Sequence, residues 1–428
     1  MSRIVPSSPV ERTARIGTTL RARVALLLTT LLAVLVMPST SQAEVVLYPP
    51  ADSWYTAPAD IATLAPGTVI RSRSVTLRTA PTVKMPFTAY QVLYRTTNRA
   101  GQPIATAASI ILPNNKRFAA DPKLVSYQTA YDGLSPNCQP SYTLRRGSVA
   151  LQGAETLLMT TILNRGWTIV TADYEGPDNN WGVAETTAKG VLDGIRAAES
   201  FQPAGLVKGK DTPVGMVGYS GGGNATGWAN EWATSYAPEL NLVGAAYGGV
   251  GTRLQRVVSA LNGQLFAGIA FAGIFGVTSG YPEVDMKQYL NKQGLQVMKE
   301  LRSPHYSCIT DFVFKYAFQK FRDLVKGDAR DLLTRPQFLQ IAADNTLGRF
   351  PTKAPIYWYQ TYFDQMNGYW HAREVANKYC AEGQQVYFET SYKEEHAMQA
   401  FSRPQRAYDW LSQRFGERPM KTNCDVIK

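Results

Sequence analysis

The sequence predicts an α/β fold: a mostly parallel sheet, covered by helices on both faces and interrupted late by a helical insertion. Three observations carry that prediction. From Lys123 onward, short apolar runs alternate with segments of helical periodicity, the rhythm of parallel strands joined by helical crossovers. Before that point two alternating runs flank the turn Thr97–Gly101, so the sheet begins antiparallel. From Arg253 to about Phe350 the rhythm gives way to helical, apolar sequence.

Residues 1–43 have the pattern of an export signal. Arg12, Arg15, Arg21 and Arg23 precede the apolar run Val24–Met37, which falls short of the roughly 20 residues a spanning helix needs. Ser41-Gln42-Ala43 fits a cleavage site and puts the mature start at Glu44. The expected location is extracellular or in the cell envelope. The remaining organisation is a first core segment over 44–252, a helical cap or lid over 253–350, and a second core segment over 351–428.

Along the mature chain, the Pro-rich stretch from Glu44 to about Ala80 is expected to wrap over the surface. Strands follow at Val69–Val75, Phe87–Thr96, Ile104–Leu112 and Lys123–Tyr131. A helix over Thr156–Arg165 leads to a strand at Thr168–Asp173, and Val191, Ile195 and Ala198 recur at helical spacing within Glu185–Ser200. The strand Leu242–Tyr247 closes the first core segment. In the insertion, Leu265–Val277 is so apolar on every side that it must be buried all round, and it would serve as an acyl-chain groove if the cap opens. Further helices are expected up to Leu301 and over Phe312–Phe321 and Phe338–Asn345. The core resumes with a strand at Ile356–Phe363, a helix at Trp370–Tyr379, a strand at Gln385–Tyr392 and one closing helix over Ala397–Phe415.

The formal net charge is +11; residues 1–43 hold five Arg and one Glu, supply +4, and leave +7 on the rest. Those charges are scattered and compatible with an anionic envelope, and no basic-aromatic motif points to nucleic acid. The four cysteines, Cys138, Cys308, Cys380 and Cys424, form no C-x-x-C pair, which argues against zinc or thioredoxin chemistry. An exported chain keeps disulfides, and spacing leaves all three pairings open.

Val214–Ala229 carries the chemistry. An apolar strand runs into Gly218-Tyr219-Ser220-Gly221-Gly222 and then into a small-residue helix, the strand–turn–helix of a nucleophile elbow. Glycines are needed because strand and helix pass close to the turn. A phosphate loop is disfavoured because no Lys-Ser or Lys-Thr follows. A serine nucleophile needs a base and an acid, in the chain order Ser, acid, His. Of three histidines, His305 lies in the insertion and His371 sits on a helix, whereas His396 follows the last strand and is the candidate base. Asp364 ends an apolar strand and is the candidate acid; its bland reading is a helix cap. Asp173 precedes the serine and is assigned to structure or pocket lining. The oxyanion donors expected are the backbone N–H groups of Gly221 and Asp132, with the Asp132 carboxyl tethering its loop.

These residues sit among others that resemble the secretory lipases of the lipase A type, a family with yeast and bacterial members. The matching pieces are Tyr127–Asp132, Asn137–Tyr142, Asp173–Gly176, Gly218–Gly222, Asp364-Gln365 and Glu395-His396, in order over nearly the whole mature chain. The resemblance implies an α/β-hydrolase core, a lid before the acid-bearing strand, a Ser220–Asp364–His396 triad, and oxyanion contacts at Asp132 and Gly221. It also implies the pairs Cys138–Cys308 and Cys380–Cys424. The expected function is therefore an exported serine carboxylic-ester hydrolase, a lipase or esterase, that needs no metal or organic cofactor. Its partners would be an ester or lipid substrate and, through the cap, a lipid surface. The alternatives are an acyltransferase on the same scaffold and a non-catalytic lipid-binding envelope protein. Oligomeric state is left open by the sequence.

Overall fold

The computed structural model describes residues 46–115, 120–148, 151–305 and 308–425. The export signal expected at residues 1–43 lies outside them. Among the described residues nine strands form one sheet, and two short ones form a separate ribbon. In chain order the strands are β1 (Val69–Val75), the ribbon β2 (Arg78–Ala80) and β3 (Val83–Lys84), β4 (Ala89–Thr97), β5 (Pro103–Ile111), β6 (Leu124–Gln128), β7 (Thr168–Ala172), β8 (Val214–Tyr219), β9 (Leu242–Gly248), β10 (Ile356–Thr361) and β11 (Val386–Ser391).

Across the main sheet the order is β1-β4-β5-β7-β6-β8-β9-β10-β11. The pairings β1–β4, β4–β5 and β5–β7 are antiparallel, and every later pairing is parallel. The antiparallel start and parallel continuation agree with the sequence. Alternate strand residues feed two cores. Val214, Met216, Ala245, Tyr247 and Trp358 face one side; Val217, Ala246, Tyr357 and Tyr359 face the other.

Helices close both faces. They are α1 (Pro140–Arg146), α2 (Leu151–Asn164), α3 (Ala184–Ser200), α4 (Gly221–Tyr236), then α5 (Leu254–Leu261), α6 (Ala267–Ser279), α7 (Lys292–Leu301), α8 (Ile309–Phe312), α9 (Ala329–Leu333) and α10 (Pro336–Asp344), and after β10, α11 (Tyr369–Ala381), α12 (His396–Ser402) and α13 (Pro404–Phe415). Helices α3, α4 and α11 pack on one face of the sheet, and α2 and α13 on the other. Helices α5 to α10 all lie between β9 and β10 and build an apolar core of their own around Phe271, Phe275, Phe312 and Phe321.

Several boundaries differ from the sequence reading. The strand expected to reach Tyr131 stops at Gln128, because the chain turns through Asp132, whose φ is +36°. Helix α1 was not foreseen. It is short, and Asp173 anchors its first turn by accepting from the Ser141 N–H (2.9 Å) and hydroxyl (2.6 Å). That contact gives Asp173 its structural place. The helix expected over Phe312–Phe321 is instead the end of α8 and a series of turns, with Phe318 at φ +64°. The closing helix is two helices, because Pro404 has no N–H to donate and starts a new one.

Disulfides join Cys138 to Cys308 and Cys380 to Cys424, the pairs the resemblance implied. The first links the segment after β6 to the start of α8, where Gly133 and Cys308 also form a β-bridge. Among the described residues no helix is long and apolar enough to cross a membrane.

Candidate active site

Parallel strands deliver loops to one sheet edge, and the register aligns their ends. Gln128 of β6 pairs with Gly218, Tyr219 of β8 with Gly248, and Gly248 with Tyr359 of β10. Ser220 leaves β8 at this edge with φ +55° and ψ −121°, outside the regions a non-glycine residue normally occupies. The strained turn is held by bonds on either side. Ser220 N–H donates to Gly248 O (2.9 Å), and Asn224 N–H donates to Ser220 O (2.9 Å). A Cβ at Gly218 would overlap the Gly222 carbonyl, and one at Gly222 would overlap the Gln128 carbonyl. The two glycines are thus steric requirements of the turn.

His396 is the first residue of α12. Glu395 before it caps the helix, its carboxylate accepting from the N–H groups of Ala397 (2.9 Å) and Met398 (2.7 Å). The imidazole is buried, with Nε2 2.9 Å from Ser220 Oγ and Nδ1 2.9 Å from Asp364 Oδ2. Asp364 is fixed through both oxygens. Oδ1 accepts from Met366 N–H (3.0 Å) and Asn367 N–H (2.7 Å), and Oδ2 also accepts from Gln360 Nε2 (2.7 Å). Its carboxylate therefore shapes its own loop while facing His396, and it is not a helix cap, since the N-cap of α11 is Gly368. Of the other histidines, His305 is exposed in the insertion, and His371 on α11 stands 3.8 Å from Glu374.

Burial works against a charged His396, but the charge and hydrogen bond of Asp364, reinforced by Glu395 and Asp132, outweigh it and raise the imidazole above its usual value. Asp132 lies at the same edge, 3% exposed. Burial pushes its carboxyl up to about 7, against the pull of His396 and a hydrogen bond from Trp181. A Cβ on Gly221 would overlap Asp132 Oδ1, so the two residues expected to donate to an oxyanion are in direct contact.

Three supports of the site were not read from the sequence. Gln360 holds Asp364. Gln365 Oε1 accepts from His396 N–H (3.2 Å), and the Tyr219 hydroxyl donates to His396 O (2.6 Å). Gln360 had a visible signal, a polar residue inside the apolar strand Ile356–Phe363; Gln365 lies in loop sequence and Tyr219 ends β8, and neither position fixes its partner. Among the described residues no group of three or more His, Cys, Asp or Glu side chains could hold a metal ion.

Two cavities open on Ser220. One of about 100 Å³ runs past Gly221 and Asn224 to Trp228, Val257 and Leu261. One of about 310 Å³ runs past His396 to Tyr127, Val313 and Ala400. Helix α6 contributes Ile269 to both, and Ala270 and Gly273 to the first, so the all-apolar helix of the cap lines cavity space as well as filling its own core.

The secretory lipase family matches residues 144–423. A Mycobacterium tuberculosis protein named a probable inactive lipase is 34% identical over 380 residues, 87% of this chain and 84% of that one. A secreted triacylglycerol lipase of Malassezia globosa is 33% identical over 374 residues, 85% and 80% of the two chains. The crystal structure of Candida antarctica lipase A superposes with a TM-score of 0.81 at 29% identity, covering 89% of each chain.

Proposed function

The chain belongs to the secretory lipase family, and we propose that it hydrolyses carboxylic esters through an acyl-enzyme formed on Ser220. Membership makes it an exported carboxylic-ester hydrolase of the triacylglycerol lipase kind, acting on an ester or lipid. Within that class Ser220 Oγ attacks the ester carbonyl while His396 Nε2 takes its proton. Asp364 keeps the other ring nitrogen protonated and stabilises the imidazolium. The N–H groups of Gly221 and Asp132 receive the oxyanion. His396 then gives the proton to the leaving alkoxide oxygen, and water repeats the sequence on the acyl-enzyme. The cap, with Leu265, Phe314 and Phe318 exposed, is the face offered to a lipid surface.

The observation that carries this reading is the continuous contact from Ser220 Oγ through His396 to Asp364, two steps of 2.9 Å each. A second reading, a lipid binder without turnover, is favoured by the name of the mycobacterial relative. Labelling with a fluorophosphonate and hydrolysis of a p-nitrophenyl ester series, by wild type and Ser220→Ala, separate the two. Turnover lost in the variant supports hydrolysis. A folded wild type that neither labels nor turns over supports the binder. Transfer of the acyl group to an added alcohol in place of water would move the reading to an acyltransferase.

A further inference from the structure

The two cavities at Ser220 are not equivalent. The larger, of about 310 Å³, falls within the range of small-molecule pockets, about 300–1,000 Å³; the smaller, of about 100 Å³, does not. Of the two, His396 borders only the larger, whereas Gly221 borders only the smaller. That difference has a chemical meaning. His396 hands its proton to the departing alkoxide oxygen, so the alcohol part of the ester must lie on the imidazole side. Ser220 and Asp132 border both cavities, so the imidazole is what distinguishes them, and with the alcohol on its side the smaller cavity is left for the acyl group.

The larger cavity is walled by apolar groups such as Leu158, Val217, Val313, Ala400 and Phe401. Two acids border it, Asp132 and Glu155 of α2, and Glu155 has no part in the hydrolytic steps above. Glu155 is buried. Its Oε1 accepts from Ala130 N–H at 3.2 Å and the Tyr127 phenol adjoins the carboxyl, but Oε2 makes no well-formed hydrogen bond. A buried polar atom left this way favours a bound molecule that supplies a better-aligned partner. Burial pushes the carboxyl up to about 8, so near neutral pH it is an O–H donor.

We infer that the His396-side cavity binds the alcohol part of the ester, and that it suits an extended apolar alcohol carrying a second oxygen, which Glu155 meets. Glycerides and glycol monoethers share that chemistry. The inference rests on the hydrolytic reading of Ser220 and His396, and its failure is separable from the failure of that reading.

The test compares kcat/KM for ethyl, nonyl and 2-(hexyloxy)ethyl butanoate, the last two being near-isosteric, in wild type, Ala400→Trp and Glu155→Leu. Melting curves and fluorophosphonate labelling check that each variant is folded. Wild type is expected to favour the ether ester over the nonyl ester, and both over the ethyl ester. Ala400→Trp is expected to lower the nonyl-to-ethyl ratio by about tenfold or more, the scale of losing apolar contact in a pocket. Glu155→Leu is expected to abolish the preference for the ether ester while the nonyl-to-ethyl ratio persists. A nonyl-to-ethyl ratio unmoved by Ala400→Trp, with a changed dependence on acyl length in a series of ethyl esters, would assign the cavity to the acyl chain and overturn the inference alone. An ether preference that survives Glu155→Leu removes Glu155 from it. Hydrolysis of none of the three esters by folded wild type, or undiminished hydrolysis by Ser220→Ala, overturns the hydrolytic reading itself.

Discussion

The carboxylate of Asp132 lies against the α-carbon of Gly221, in the space a methyl group there would need. Both residues are proposed to present N–H groups to an oxyanion, so Gly221→Ala is expected to displace one donor by pushing on the other. The expected loss is about 10²–10³-fold in kcat, the scale of removing one oxyanion donor. Because Asp132 has φ +36°, glycine suits its backbone and retains its N–H. Asp132→Gly alone is therefore expected to keep most of the activity, and Gly221→Ala/Asp132→Gly to recover part of what Gly221→Ala loses. Steady-state kinetics of the three variants decide this, and a double variant no better than Gly221→Ala would rule out the clash as the cause.

His396 must be neutral to accept the serine proton, and its surroundings raise it above its usual value of 6.5. Activity should therefore climb with pH through a midpoint above 6.5. Asp364→Asn removes the largest influence that raises the imidazole, and is expected to move that midpoint down while cutting kcat by several orders of magnitude through loss of ring orientation. The pH profile of kcat/KM checks both. A wild-type midpoint below 6.5, or one unmoved in the variant, would contradict the assigned coupling.

The sheet and the site differed in how much of them could be read in advance. Ser220 was legible because the turn restricts its neighbours so severely that Gly218 and Gly222 appear in the sequence as a pattern. His396 and Asp364 were legible through scarcity and position, with three histidines and few acids at strand ends. The break before Pro404 is marked in the sequence by the proline, but apolar periodicity continues across it and suits a single helix. Helix α1 was invisible, since its first turn depends on Asp173, 32 residues away from Ser141. The turns after α8 follow apolar sequence that would also suit a helix, yet Tyr316 is buried in the cap core while Phe314 and Phe318 are exposed, with Phe318 at φ +64°. Glu155 gave no signal, because nothing in Leu151–Asn164 shows that this acid is buried.

Around the site, burial pushes the carboxyls of Asp132 and Asp173 up to about 7 and that of Glu155 up to about 8. In the unfolded chain such groups titrate near 4. The folded state thus binds more protons between those limits, and these acids contribute stability that is fully present below about pH 4 and is lost as pH rises through about 7 to 8. His396, raised above 6.5, acts in the same direction at the upper end. Melting temperature is accordingly expected to be higher at pH 5 than at pH 8, with a shallower fall in Glu155→Gln. A melting temperature that is level or rising from pH 5 to pH 8 would contradict the burial of these acids as protonated groups.

The two disulfides should separate stability from activity. Cys138–Cys308 closes a span of 170 residues and Cys380–Cys424 one of 44. Chain entropy makes the longer closure worth only about 1 kcal/mol more, because the cost grows with the logarithm of loop length. Each bond is expected to contribute about 2–5 kcal/mol, so unfolding alone barely distinguishes them. Their positions differ far more. Cys138–Cys308 and the Gly133–Cys308 bridge fix the cap to the segment that carries Asp132, whereas Cys380–Cys424 joins the end of α11 to the C-terminal segment, next to Gln384 and Val386. Loosening the first should let Asp132 drift from Gly221, and placement errors of about 1 Å at such a site can cost about 10²-fold in rate. Cys138→Ser/Cys308→Ser is therefore expected to lower kcat/KM at temperatures well below its melting point. Cys380→Ser/Cys424→Ser should melt earlier yet keep its kcat/KM while folded. Denaturant melts paired with kinetics on both double variants check this, and equal losses of activity would show that the Cys138–Cys308 link has no special hold on the site.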